Sequence, residues 1–163
     1  MLFEQMNGVT GVNGVSGVTR GADKWAEQFI VAEHRAPYNG RPLTHKDLKV
    51  YERAFNLALE LYTTSKGFPD SEKYSLTSQI RRSSRSVCSN IAEGWRKRRY
   101  KAAFVAKLSD AEAEAAETQT WIEFALAFGY IEPDQADALW KAYESLISTI
   151  VGFIDHADDW IIK

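Results

Sequence analysis

Lysine and arginine collect in one stretch of this chain at spacings that suit phosphate binding. Arg81, Arg82 and Arg85 fall within little more than one helical turn, and Arg96, Lys97, Arg98, Arg99 and Lys101 follow between Trp95 and Lys107. Guanidinium forks grip phosphate oxygens bidentately, and aromatic rings such as Trp95 and Tyr100 can stack on unpaired bases. That combination is expected of a surface for single-stranded or structured RNA. From Glu72 to Lys107, 10 Lys/Arg stand against Glu72 and Glu93, about +8; from Leu108 onward, 12 Asp/Glu stand against Lys141 and Lys163, about −10. A formal net charge of −2 therefore hides a bipolar chain. Two other uses of the cations stay open. They can complement the C-terminal dipole of a helix and keep its end soluble, or pair with the acidic segment in the same chain or in a neighbouring copy.

No arrangement for catalysis competes with that surface. A di-iron bundle site needs Glu-x-x-His pairs, and no Glu stands three residues before His34, His45 or His156. Arg41 and His45 are too close to match the Arg-then-His spacing that some helical-bundle ribonucleases use. Zinc spacings, a glycine-rich phosphate loop, a Gly-x-Ser-x-Gly elbow and His-Glu-x-x-His are also missing. Neither catalytic residues nor a metal or other cofactor are expected. The run Asp110, Glu112, Glu114, Glu117 is interleaved with alanines and reads as a solvated helix face rather than a metal site. Cys88 lies in an apolar-periodic segment and reads as a small core residue. No stretch suits a membrane span or an export signal, so the expected address is the cytoplasm.

The elements that must position these residues are helices. Four Gly-Val-polar triplets from Gly8 to Thr19 make residues 1–22 an expected flexible tail, and residues 23–44 read as a short helix around Trp25 and Phe29 followed by a Pro/Gly-rich linker. A first long helix is expected over about 45–66, opened by a capping box at Thr44 and Asp47, with the stripe Tyr51, Ala54, Phe55, Ala58, Leu61, Tyr62. A second, after Pro69-Asp70-Ser71, carries Leu76, Ile80, Ser83, Val87, Ile91 and Trp95 on a narrow face rich in small residues. The third steps by four and three through Phe104, Leu108, Ala111, Ala115, Thr118, Ile122 and Ala125 until Gly129. The fourth opens at Pro133 with the seam Ala136, Trp140, Tyr143, Ile147, Ile150, Ile154, Ala157 and Ile161. Short connections make an all-α, antiparallel up-down-up-down four-helix bundle over 45–163 the economical fold. Trp121, Phe124, Phe128, Leu139, Leu146 and Phe153 lie beside the seams; this surplus either thickens the core or mediates self-association.

Within the second helix, Arg81 and Arg85 stand four apart and call for something negative opposite, while Glu93 stands four before Lys97 in the favourable order. The segments Asp47-Leu48-Lys49-Val50-Tyr51, Gln79-Ile80-Arg81-Arg82, Ser89-Asn90-Ile91-Ala92-Glu93-Gly94 and Phe128-Gly129-Tyr130-Ile131 resemble the bacterial four-helix-bundle proteins of intervening sequences in large-subunit ribosomal RNA genes. The accessory variability protein of diversity-generating retroelements is grouped with them. The resemblance spans about residues 45–160 and implies a homopentamer of four-helix protomers. It also implies a basic surface for nucleic acid, RNA or DNA, or for a reverse transcriptase partner, lined by Arg81, Arg82 and Arg85. Asn90 and Glu93 are then expected as hydrogen-bond partners of those arginines. The competing reading is a protein-interaction scaffold whose basic helix pairs with acidic helices within a homo-oligomer.

Overall fold

The computed structural model describes residues 41–162, which fall in one compact unit. The tail expected at 1–22 and the short helix expected beyond it lie outside the described residues. Four helices follow: α1 (Lys49–Thr64), α2 (Leu76–Lys97), α3 (Lys101–Ala127) and α4 (Pro133–Asp155). Each packs on its neighbour in sequence, and α1 closes the ring onto α4, which is the expected all-α four-helix bundle. The α2–α3 contact is the most extensive and the α1–α4 contact the thinnest.

Local chemistry sets the ends. The capping box at Thr44 is present, with Asp47 Oδ2 accepting from the Thr44 amide at 2.7 Å, but it closes a single 3-10 turn, His45–Asp47. Leu48 then leaves the helical path to bury its side chain, so α1 begins at Lys49 rather than near 45. Glu72 holds the start of α2 by accepting from the Leu76 amide and from Tyr130 Oη, and it also pairs with Ser75 Oγ. Gly129, at φ 71°, ends α3 in a Schellman motif, its amide donating to the Leu126 carbonyl and that of Tyr130 to Ala125. Pro133 occupies the first turn of α4 as expected.

Every residue of the seam expected on α3, from Phe104 to Ala125, is buried. Small residues bring α2 and α3 together: a Cβ on Gly94 would lie 3.4 Å from Lys107 Cβ. Between these helices the buried hydroxyls of Ser83 and Thr118 are 2.9 Å apart, and Thr118 donates to the Glu114 carbonyl. Two seams are rotated from their expected positions. On α1 Ala54, Ala58 and Leu61 of the expected stripe are buried, but the core adds Val50 and Leu57 and leaves Phe55 and Tyr62 at the surface. On α4 it takes Leu139 and Leu146 in place of Trp140 and Ile147. In both, consecutive apolar residues offered two stripes one residue apart, and the Tyr62 phenol and the Trp140 indole kept polar atoms near water. Trp140 Nε1 donates to Glu123 at 3.0 Å.

Candidate nucleic-acid interface

The cations on α2 divide by what they face. Arg82 turns toward α3, where its Nη2 donates to both Glu117 carboxylate oxygens at 2.8 and 3.1 Å and Glu114 lies 3.7 Å from Nη1. Burial pushes the Glu114 carboxyl above its ordinary range, and Arg82 pulls it back. Arg81 and Arg85 turn toward α1. Arg81 Nε donates to Ser65 Oγ at 2.7 Å, and both guanidinium groups lie over the Tyr62 ring, at 4.9 and 5.7 Å. Thus, among the described residues, the acidic partner anticipated for the three arginines exists for Arg82 alone. Asn90 and Glu93 do not bond to arginines: both meet Lys107 of α3, at 3.3 and 3.1 Å, with Asp110 completing the group. Glu93 therefore crosses to α3 rather than pairing with Lys97 along its own helix.

At the far end of α2 the chain turns through Arg98, Arg99 and Tyr100 into α3. The side chains of Arg96 to Lys101 fare differently. Arg98 folds back over the Trp95 ring, 3.6 Å from its centroid, and donates to the Trp95 carbonyl. Burial and the neighbouring Arg96 hold its guanidinium below the usual value. Lys101 pairs with Asp158 at 2.7 Å. Arg96, Lys97 and Arg99 are exposed and carry no ion-pair or hydrogen-bond partner among the described residues. Arg96 also contributes to keeping the His45 ring below its ordinary pKa, behind burial and Lys46.

The two aromatics that bracket the cluster differ as sharply. Trp95 is 4% exposed, packed against Trp160 and covered by Arg98, so it offers no face to a base. Tyr100 is 73% exposed and has no ring partner among the described residues. The C-terminal turn Ala157–Asp159 and the residues after it make this arrangement, because the Ile162 amide donates to the Arg98 carbonyl and Trp160 stacks on Phe153. Sequence reasoning did not anticipate that return of the chain; the late aromatic Trp160 was the available signal.

Cys88 is buried, and desolvation raises its thiol to about 11, well above the range of a reactive thiolate. Among the described residues no group of His, Cys, Asp and Glu is placed to hold a metal ion, and no helix is long and apolar enough to cross a membrane.

Three comparisons bear on this surface. The sequence profile of the 23S rRNA-intervening sequence protein family matches residues 46–152. No curated protein matches the chain. Among solved structures, a protein of unknown function from the S23 ribosomal protein family of Bacteroides thetaiotaomicron is similar at 25% identity with a TM-score of 0.59. That match covers 65% of this chain and 95% of the other.

Proposed function

Since this chain belongs to the 23S rRNA-intervening sequence protein family, we propose that it is a non-catalytic, oligomeric bundle protein that binds RNA by phosphate contacts from the α2–α3 turn. The observation that carries the reading is the set Arg96, Lys97 and Arg99, three exposed cations without a carboxylate beside a free Tyr100 ring. Unpaired cations release counterions when they meet phosphate, whereas an arginine already bound to Glu117 must first give up that partner. One stackable ring among three cations favours single-stranded RNA over a duplex, because unpaired bases present their faces. Exposed Phe124, Phe128 and Trp140 support the oligomer part of the reading.

Titration of labelled single-stranded RNA from low to high salt tests it. Affinity falls steeply with salt for the wild-type chain, and the R96E/K97E/R99E variant binds at least ~100-fold more weakly at low salt. Absence of binding at low salt, or equal binding by the variant, refutes the RNA reading. The scaffold reading draws support from Arg82–Glu117, Lys107–Glu93 and Lys101–Asp158, which pair basic and acidic groups within one chain. It predicts loss of stability, not of RNA binding, when those pairs are broken.

A further inference from the structure

One histidine stands at the edge of the cation cluster, and phosphate contact alone gives it no role. The turn His45–Asp47 packs against α2 as well as α1. Its imidazole meets the Tyr51 ring edge-on at 4.7 Å, and Tyr51 lines the same α1–α2 groove as Ala92. Arg96 follows Ala92 by one helical turn on the same face of α2, which brings its charge within reach of the imidazole. Charged and titratable groups face His45 from each element packed on it: Lys46 and Asp47 from its own turn, Tyr51 from α1 and Arg96 from α2. Asp47 is the one carboxylate among them, and its Oδ2 accepts from the amides of Leu43 and Thr44. Burial holds the Tyr51 phenol above its ordinary range, so it stays neutral wherever a histidine titrates.

Two cations against one engaged carboxylate disfavour a third positive charge. Local geometry acts in the same direction, because His45 Nδ1 is buried without a hydrogen-bond partner among the described residues. A neutral ring can leave a bare lone pair there, whereas a charged ring carries N–H on both nitrogens and points one of them at no acceptor. Arg96, which is exposed and assigned above to phosphate, therefore also helps to keep His45 neutral.

We propose that His45 couples RNA binding to proton uptake: a phosphate seated on Arg96 cancels the charge the imidazole meets, a proton from solvent adds to the ring, and RNA is held more tightly as pH falls. The inference rests on the RNA reading above and gives that site its regulation. Linkage fixes the sign. His45 is depressed in the free chain and relieved in the complex, so the complex carries more proton; the gain is absent well above pH 6.5 and grows as pH falls through and below it. One screened unit charge beside a partly exposed ring changes its proton affinity roughly threefold, and reciprocity gives RNA affinity the same roughly threefold gain.

The full-length chain is titrated with labelled oligouridylate, whose bases do not ionise in this range, at constant ionic strength from pH 8 to pH 5.5. Wild type gains roughly threefold in affinity toward the acid end. His45→Phe keeps a ring against Tyr51 and cannot take the proton, so its affinity stays flat; circular dichroism and melting confirm that it folds. Arg99→Ala binds more weakly and keeps the gain, whereas Arg96→Ala loses most of it. His156→Gln, which removes the exposed histidine two residues before Asp158, also keeps the gain. A second measurement needs no variant: the His45 resonance of wild type titrates at higher pH with saturating oligouridylate than without it. Affinity indifferent to pH, a gain that survives in His45→Phe or vanishes in His156→Gln, or a His45 titration that RNA leaves in place overturns the coupling while the RNA reading stands. Absence of RNA binding at every pH and at low salt removes the RNA reading, and the coupling with it.

Discussion

Arg81 to Arg85 and Arg96 to Arg99 sit on one basic segment a few turns apart, yet they belong to different parts of the molecule. The first group lies along the flanks of α2, where α1, the Ser65 turn after it and α3 supply a ring, a hydroxyl and carboxylates; the second lies where the helix runs out and, among the described residues, no acidic neighbour reaches three of its members. A cation with a partner contributes to the fold and gives little to a phosphate, because binding must first break what it has. Counted charge and available charge are therefore different quantities, and position relative to neighbouring helices sets the difference.

The largest effect that separates the groups is in RNA affinity. Losing Arg96, Lys97 and Arg99 together lowers the slope of log affinity against log salt by about 2 for single-stranded RNA, at roughly 0.7 per phosphate contact. The matched R81Q/R82Q/R85Q variant changes that slope by less than one contact and loses thermal stability instead. Parallel titrations of the two variants at several salt concentrations decide the matter, and equal slopes would erase the distinction.

Helix number and order, and the turn at Gly129 and Pro133, were legible in the sequence because such residues act locally, and the inner seam of α3 from Phe104 to Ala125 is buried as its steps of four and three required; the Thr44 box closed only a 3-10 turn, so the start of α1 was not legible. The buried faces of α1 and α4 were not fixed by pattern, since Ala54-Phe55 and Leu139-Trp140 place apolar residues side by side and tertiary packing chooses between them. Of the basic site, its existence was readable and its internal division was not. Nothing near Arg98 in sequence announces that it will cover Trp95, which depends on the C-terminal return that brings Trp160 and Ile162 to the same end. Likewise Glu93 had Lys97 available along its helix, and the close approach at Gly94 delivered Lys107 across the gap instead.

Within the second cluster, Arg98 and Arg99 give a sharper version of the same contrast. Arg98→Ala removes a guanidinium stacked on a buried indole and a hydrogen bond to its carbonyl, at a cost of about 1–2 kcal/mol in chemical denaturation, with altered tryptophan fluorescence. Arg99→Ala leaves stability unchanged and weakens RNA binding several-fold. Smaller again is the Arg82–Glu117 pair, which is partly exposed: a double-mutant cycle with Arg82→Ala and Glu117→Gln gives a coupling of about 0.5 kcal/mol in stability and none in RNA affinity.

The smallest effect is carried by His45, which reports on Arg96 without RNA. Its ring packs edge-on against Tyr51 at 4.7 Å, and burial, Lys46 and then Arg96 hold its pKa below the ordinary 6.5, with Asp47 opposing. A histidine depressed in the folded state binds its proton more readily when unfolded, so stability is lost as pH falls through and below 6.5. Arg96→Ala removes one of the depressing charges. The His45 resonance of the variant then titrates at higher pH, and its melting temperature falls less between pH 7 and pH 5.5. Lys97→Ala, whose charge is not among the causes acting on His45, leaves that titration where it was. Were Arg96 neutralised by a carboxylate as Arg82 is, its removal would move His45 no more than the removal of Lys97 does. An unchanged His45 titration in Arg96→Ala would therefore place Arg96 with the partnered cations and break the comparison at one of its exposed members.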